Sequence, residues 1–373
     1  MTAILTEFTL TNFKSYHQAH LPLGPLTLLI GANASGKSNA IEALKIIHWM
    51  AATTRLPHHH DRISQELVSL DVRGNEASFF YNQTHAPCIL SCSFNNNPNH
   101  QYIVQIEQDN HDFGIVYEYA TTAQFDTSPL SLQILKNLLF IDAIPSAMRE
   151  YSVKGKKHLT NNGSNLSSVL YHLCQTPSHQ QTLLDFIQSL PEQAIRSIGF
   201  IETPRNEVML TLTETFGHQE RDYDITLLSD GTLRVLAIAT ALLSAPEGSL
   251  IVIEEIDNGI HPSRAQHLLT KIREIADRRH LRVLLSTHNP ALMDALPDEA
   301  LSDVVFCYRD PENGDSRLTR LGDIDNFPAL VSQGSLGHLV TAGIVDRFIK
   351  HPTTPEERKQ KALEWIQALE ESA

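Results

Sequence analysis

The sequence predicts an α/β protein: a parallel sheet covered by helices, with an antiparallel β subdomain and a helical insertion. Three observations carry that expectation. Residues 231–308 alternate apolar strands with helices, which implies parallel strands joined by helical crossovers. Residues 77–120 alternate apolar and polar positions ("CILSCSF", "QYIVQIEQ", "FGIVYEYA") between the polar runs "NNNPNH" and "DNHD", the pattern of an antiparallel meander. The apolar run "LTLLI" leads into a glycine-bearing turn and then "SNAIEALKIIHWMAA", whose apolar residues recur at helical spacing.

Taken in order, two further β-like runs, "ILTEFTL" and "QAHLPL", precede "LTLLI". Residues 55 to 75 are polar and match no period. Residues 130–200 read as mainly helical, broken by the loop "KGKKHLTNNGSN" and by Pro177 and Pro191. "EVMLTLTET" and "RDYDITLLS" read as strands. The alternation then runs helix 231–245, strand 249–254, helix 262–279, strand 281–286, helix 290–295 and strand 303–308. "TTPEERKQKALEWIQALEESA" reads as one amphipathic terminal helix. There is no internal repeat and no sustained heptad pattern.

With 373 residues, 42% hydrophobic and 19% charged, the chain can bury one large core or two ordinary ones. A net charge of −14 argues against a protein that grips nucleic acid over its whole surface. The one dense basic patch before the tail is "VKGKKH", with Lys154, Lys156 and Lys157. It reads as a solvated loop, while leaving nucleic acid or an acidic protein open as a partner there. Cys88 and Cys92, with His85 nearby, do not make a zinc spacing, so the four cysteines are expected as reduced thiols. His58 to His60 and Asp61 read as an exposed loop. The start lacks a basic leader and no eighteen apolar residues run together, so the expected location is cytoplasmic, with no membrane contact.

Gly31-Ala-Asn33-Ala34-Ser35-Gly36-Lys37-Ser38 fits the phosphate-loop pattern G-x-x-x-x-G-K-[ST], and Asn39 follows it into the helix. Gly31 and Gly36 permit a tight wrap with backbone N–H groups turned toward an anion. Lys37 supplies a point charge for the β- and γ-phosphates of a nucleotide, and Ser38 offers a hydroxyl to Mg²⁺ at the positive end of the helix. "SLIVIEEIDNGIHP" is an apolar strand ending in two acids. By the logic of phosphate-loop ATPases, Glu254 is the metal-side acid and Glu255 the base for the attacking water. "VLLSTHNP" ends a further strand with Thr287 and His288, and a histidine there can hydrogen-bond a γ-phosphate. "LLSDGTLRVLAIATALL" starts a helix at Ser229 and Gly231, offering a hydroxyl and free N–H groups at a positive helix end.

That order of phosphate loop, serine–glycine helix, acidic strand and histidine resembles the ATP-binding-cassette ATPases. Within them it is similar to the branch of structural-maintenance-of-chromosomes (SMC) heads, RecF-like heads and OLD-family ATPases. "LTNFKSY" looks like that branch's first-strand motif, which implies that Lys14 and Ser15 lie near the nucleotide. "SDGTLR" and "EEIDNGIHP" look like the OLD-like ATPases of prokaryotic defence and toxin operons. Two positions depart from the pattern: Glu254 stands where most cassette ATPases carry aspartate, and Ile256 where many relatives carry proline.

The resemblance implies an ABC-ATPase head over residues 1–308, with an N-lobe at 1–120, a helical insertion at about 125–200, a C-lobe at 205–308 and an extension at 309–373. It further implies a homodimer, or a higher oligomer built from it, that sandwiches two ATP molecules, with Ser229 and Gly231 completing the second chain's site. A separately encoded nuclease or toxin is the implied effector, because the stretch after Tyr308 is too short for the nuclease domain of OLD nucleases. The alternative is a RecF-like protein whose ATP gates a clamp on DNA. Transporter membership and a long coiled coil are not expected.

Overall fold

The computed structural model describes residues 3–52, 72–74, 76–81, 86–108, 113–116, 129–188, 195–216, 219–258, 260 and 262–350. The chain opens with the hairpin β1 (Leu5–Phe13) and β2 (Tyr16–Pro22), then β3 (Leu26–Ile30) and α1 (Lys37–Ala52). The meander follows as β4 (Cys88–Phe94), β5 (Asn97–Gln108) and β6 (Phe113–Val116). Next come α2 (Pro129–Lys136), β7 (Leu139–Ile141), α3 (Pro145–Met148), β8 (Ser152–Val153), α4 (Leu166–Cys174) and α5 (Pro177–Gln188). Three antiparallel strands, β9 (Ile195–Glu202), β10 (Glu207–Phe216) and β11 (Gln219–Asp224), lead to α6 (Asp230–Ser244) and β12 (Leu250–Ile253). The remainder is α7 (Pro262–Arg278), β13 (Arg282–Ser286), α8 (Pro290–Asp294), β14 (Val305–Arg309), β15 (Ser316–Arg320), α9 (Phe327–Val331), α10 (Leu336–Thr341) and α11 (Ile344–Lys350).

The central sheet has the order β15-β14-β3-β13-β12-β7, parallel throughout except for β15, which pairs antiparallel with β14. Its strands are apolar on both faces because both faces are covered. The period of two divides their side chains cleanly. Leu26, Leu28, Ile30, Ile251, Ile253, Val283 and Leu285 face a core shared with α4, α5, α6 and α7. Leu29, Leu250, Val252 and Leu284 face the other core, shared with α1 and the antiparallel sheet β2-β1-β4-β5-β6. Helix α1 is therefore enclosed between two sheets, which is why Ile41, Leu44, Ile47, Met50 and even Trp49 are buried and its apolar surface is not confined to one stripe.

The parallel order puts the C-terminal ends of β14, β3, β13, β12 and β7 along one edge, where such sheets bind ligands. The phosphate loop after β3, the acids after β12 and Thr287-His288 after β13 all leave the sheet at that edge.

Residues 130–200 are less helical than the sequence predicts. The three-residue β7 becomes an edge strand of the central sheet, and β8 and β9 join β10 and β11 in a separate antiparallel sheet. A three-residue strand is too short to show a period. The helical run does break at Pro177, which separates α4 from α5 and stands in the first turn of α5, where proline is tolerated. "NNNPNH" is a tight turn: Asn95 and Asn96 both hold positive φ (56° and 53°), as a two-residue hairpin connection requires. The loop after β8 is cross-tied. Asn165 accepts from the Thr160 amide (2.9 Å) and donates to the His158 carbonyl (2.9 Å), while Asn161 and Asn162 carbonyls accept the amides of Asp142 and Ile144 (2.9 and 3.1 Å). Lys154 is ion-paired with Glu202 and lies over the Tyr171 ring. The expectations for His58 to His60, Pro191 and the terminal helix fall outside the described residues. Among the described residues no helix is long and apolar enough to cross a membrane.

Candidate functional site

A cavity of about 300 Å³ opens at the C-terminal edge of the central sheet. Nine of the residues expected from the sequence line it: Asn33, Ala34, Gly36, Lys37, Ser38, Asn39, Glu254, Glu255 and His288. Ser286, Thr287, Arg73 and Arg309 complete the wall.

The loop between β3 and α1 keeps its shape through backbone conformations that side chains rarely adopt. Gly31 (φ +148°), Ala34 (φ +62°) and Gly36 (φ +124°) all lie at positive φ. A Cβ on Gly31 would collide with the Cys307 carbonyl oxygen, and one on Gly36 with the Ser316 side chain. Glycine at both places is thus required by conformation and by space. The floor is hydrogen-bonded from below: the Tyr16 hydroxyl donates to the Gly36 carbonyl (3.0 Å) and the buried Ser316 hydroxyl to the Ser35 carbonyl (2.5 Å). At the crest, Arg309 donates through Nε to the Ala34 carbonyl (3.1 Å). Gly31 and Ser35 are buried in this framework rather than lining the cavity.

The Lys37 ammonium lies along the loop, donating to the carbonyls of Gly31 (2.6 Å) and Ala32 (2.9 Å). Burial holds its pKa below the ordinary lysine value, opposed by the Glu255 charge. Ser38 stands in the first turn of α1, where backbone N–H groups have no intrahelical acceptor, and its hydroxyl makes no hydrogen bond among the described residues. An anion seated here would meet a lysine, a helix start and free amides together.

Across the cavity stand the acids that end β12. Burial pushes the Glu254 carboxyl above the usual carboxylate range, and the Lys45 ammonium at 3.3 Å pulls it back. Glu42 and Asp142 nearby push it further up. Glu255 is a non-glycine residue at φ +47°, a strained geometry that its neighbours enforce. Its amide donates to the Ser286 hydroxyl (3.0 Å), the Ile256 amide to the Ser286 carbonyl (3.1 Å), and Asn258 Nδ2 donates to its carboxylate (2.9 Å). The Thr287 hydroxyl donates to Asp257 (2.5 Å), which ties the end of β13 to the same turn. His288 follows, exposed, with no hydrogen bond among the described residues.

Ser38 and Glu254 offer hard oxygen ligands to one cavity, and no cluster of three His, Cys, Asp or Glu side chains able to hold a metal exists among the described residues. That donor set fits Mg²⁺, which takes one or two protein oxygens and completes its shell with phosphate and water.

Lys14 and Ser15 do not line the cavity; they brace it from behind. Lys14 pairs with Glu42 and donates to the Arg73 carbonyl (2.8 Å), and burial lowers its pKa while Glu42 offsets that shift. Arg73 Nε donates to Glu42 (2.5 Å) and its Nη2 to Asn39 Oδ1 (3.2 Å), while Asn39 Nδ2 donates to the Ser15 hydroxyl (2.8 Å). Sequence reasoning missed Glu42, Arg73, Ser286 and Arg309. Only Glu42 left a signal, a lone acid four residues after Ser38 on a mainly apolar helix.

Ser229 and Gly231 also stay outside the cavity. Ser229 caps α6, its hydroxyl accepting the Thr232 amide at 3.1 Å, and it is exposed. The structure thus carries the cavity and the serine–glycine helix start as two separate features of one chain.

Over residues 26–294 the chain matches the protein family described as "AAA domain, putative AbiEii toxin, Type IV TA system". It is 21% identical over 338 residues to the OLD nuclease of Thermus scotoductus (strain ATCC 700910 / SA-01), an alignment covering 80% of this chain and 61% of that protein. Its fold is similar to an Smc head bound to the C-winged helix domain of ScpA (TM-score 0.56, 14% identity, 85% of this chain and 97% of that one). It is also similar to an Smc head with an extended coiled coil, bound to the C-terminal domain of ScpA derived from Pyrococcus furiosus (TM-score 0.52, 12% identity, 85% and 96%).

The brace behind the loop is directly testable. Glu42→Gln leaves the Lys14 ammonium buried beside a neutral amide, and breaking a buried pair from one side is expected to cost roughly 3 kcal/mol. Urea unfolding should show that loss, and adding Lys14→Met should recover at least half of it. Unchanged stability of the single variant would mean the pair does not brace the loop.

Proposed function

The chain belongs to the family of AAA domains to which that toxin–antitoxin group is assigned, and from this we propose an ATP-hydrolysing head that closes with a second copy around two ATP molecules. One observation carries the reading. A single chain holds a cavity equipped for phosphate, metal and base, and also a capped serine–glycine helix start that does not reach that cavity. Two copies placed face to face would let Ser229 and Gly231 of each serve the nucleotide of the other.

The chemistry follows from the side chains. Glu255 accepts a proton from water as its oxygen attacks the γ-phosphorus, and ADP leaves through the bond from γ-phosphorus to the β-bridging oxygen. Lys37 and the free amides of the loop and first helical turn hold the phosphates as charge moves onto the leaving group. His288 donates a hydrogen bond to the γ-phosphate. Ser38, with Glu254 beside it, would hold Mg²⁺, which would supply charge neutralisation for the phosphates. The pinned backbone of Glu255 keeps the base at one place, so little reorganisation is needed during the reaction.

Opening and closing of such a pair would switch a separately encoded effector, of nuclease or toxin type, in a prokaryotic defence or toxin system. The family description and the OLD nuclease relative support that class. Direct nucleic-acid binding is the weaker reading, since the pairing of Lys154 with Glu202 neutralises one of the three lysines that would draw a phosphate backbone.

Glu255→Gln should keep ATP bound while turnover falls about a hundredfold, the scale of a lost general base. Lys37→Ala should instead weaken ATP binding by roughly ten- to a hundredfold, the scale of a lost charge-assisted contact. Nucleotide retention and phosphate release separate the two, and a Glu255→Gln variant turning over at near wild-type rate would assign the base elsewhere. For the shared site, Gly231→Asp sets a carboxylate against the second chain's γ-phosphate. Mixed in equal amounts with Lys37→Ala, it should give roughly a quarter of wild-type turnover, because half of the dimers are mixed and each holds one intact site of two. No recovery at any ratio would count against the shared site.

A further inference from the structure

We propose that Arg149 is a positioning residue for the nucleotide site of the second chain; this rests on the shared-site reading above. Arg149 follows α3 on the short segment that leaves β7, and its guanidinium reaches across to the turn before α6. Nη2 donates to the Leu228 carbonyl (2.9 Å) and to Asp230 Oδ1 (2.7 Å), and Nε donates to the Thr226 carbonyl (3.3 Å). These three acceptors surround Ser229. A single 3₁₀ turn at Ile225–Leu227, closed by the Leu228 amide on the Ile225 carbonyl, ends in two extended residues, Leu228 and Ser229 (ψ 147° and 153°), before α6 begins. A carbonyl there needs a donor from elsewhere, and Arg149 gives one to two of them. A planar fork of donors can hold three acceptors at once, whereas a lysine offers a single nitrogen.

The other end of the segment lies at the acid edge. Ile141 pairs with Ile253 in the central sheet, so Asp142 and Glu254 leave adjacent strands side by side, and Asp142 bears on the Glu254 charge. Arg149 thus ties the Ser229 turn to the edge that carries the chain's own Glu254. None of its contacts reaches the chain's own cavity. Its effect falls on how Ser229 and Gly231 are presented to the other chain.

The test is assignment by mixing. Arg149→Ala should retain ATP within twofold of wild type yet lose about tenfold or more of its turnover, and Arg149→Lys should restore little. Mixed with Lys37→Ala, Arg149→Ala should recover as much activity as the Gly231→Asp and Lys37→Ala mixture does. Mixed with Gly231→Asp it should recover none, because every site then faces a damaged turn. Recovery with Gly231→Asp but not with Lys37→Ala would overturn the proposal, placing Arg149 in its own chain's site, and so would unchanged turnover. If the Gly231→Asp and Lys37→Ala mixture is itself silent, the shared site fails and the proposal with it. Arg149→Lys, which keeps the charge beside Asp230, repeats the assignment if the alanine variant does not fold.

Discussion

The site depends on a backbone that would not hold its shape alone. Between Gly31 and Gly36 the phosphate loop passes through three left-handed conformations, and its carbonyls are held by Tyr16 from the hairpin just before it and by Ser316 and Arg309 from one far away in sequence. Backbone strain of this kind persists only where the surroundings over-determine it. The consequence is that the loop's amides are set before a ligand arrives. Preorganised donors avoid a reorganisation cost when charge develops on a phosphate.

The acid edge obeys the same constraint. Glu255 is held in a left-handed conformation by Ser286 at the end of the neighbouring strand, and Thr287 binds Asp257 in the same turn. Parallel pairing of β12 with β13, and of β13 with β3, places these turns and the loop on one edge. A ligand at that edge touches residues held by three adjacent strands. The helix start at Ser229 stands apart from the cavity, and in the proposed pair a second copy of the chain would bring the two together.

Much of this was legible in the sequence because the motifs are local. Loop, acids, histidine and capped helix are each contiguous runs whose residue types follow from what they must do, and the parallel sheet follows from their alternation with helices. The family match and the Smc-like fold agree with that reading. What was illegible is long-range. Ser316 reaches Ser35, and Arg309 reaches Ala34, across almost the whole chain, with no pattern to announce either. Lys14 and Ser15, expected near the nucleotide, stand behind the cavity wall and meet it through Glu42, Arg73 and Asn39. Strands β7, β8 and β9 went unread because their pairing partners, rather than their own periods, make them strands.

The central claim is that one chain holds two half-sites which only a second copy completes. Sedimentation equilibrium of the Glu255→Gln chain, with and without Mg²⁺ and ATP, tests it most directly when nucleotide content is measured in the same sample. The account predicts one chain without nucleotide, and two chains holding two ATP molecules with it. A single chain that binds ATP stoichiometrically and never pairs would contradict it.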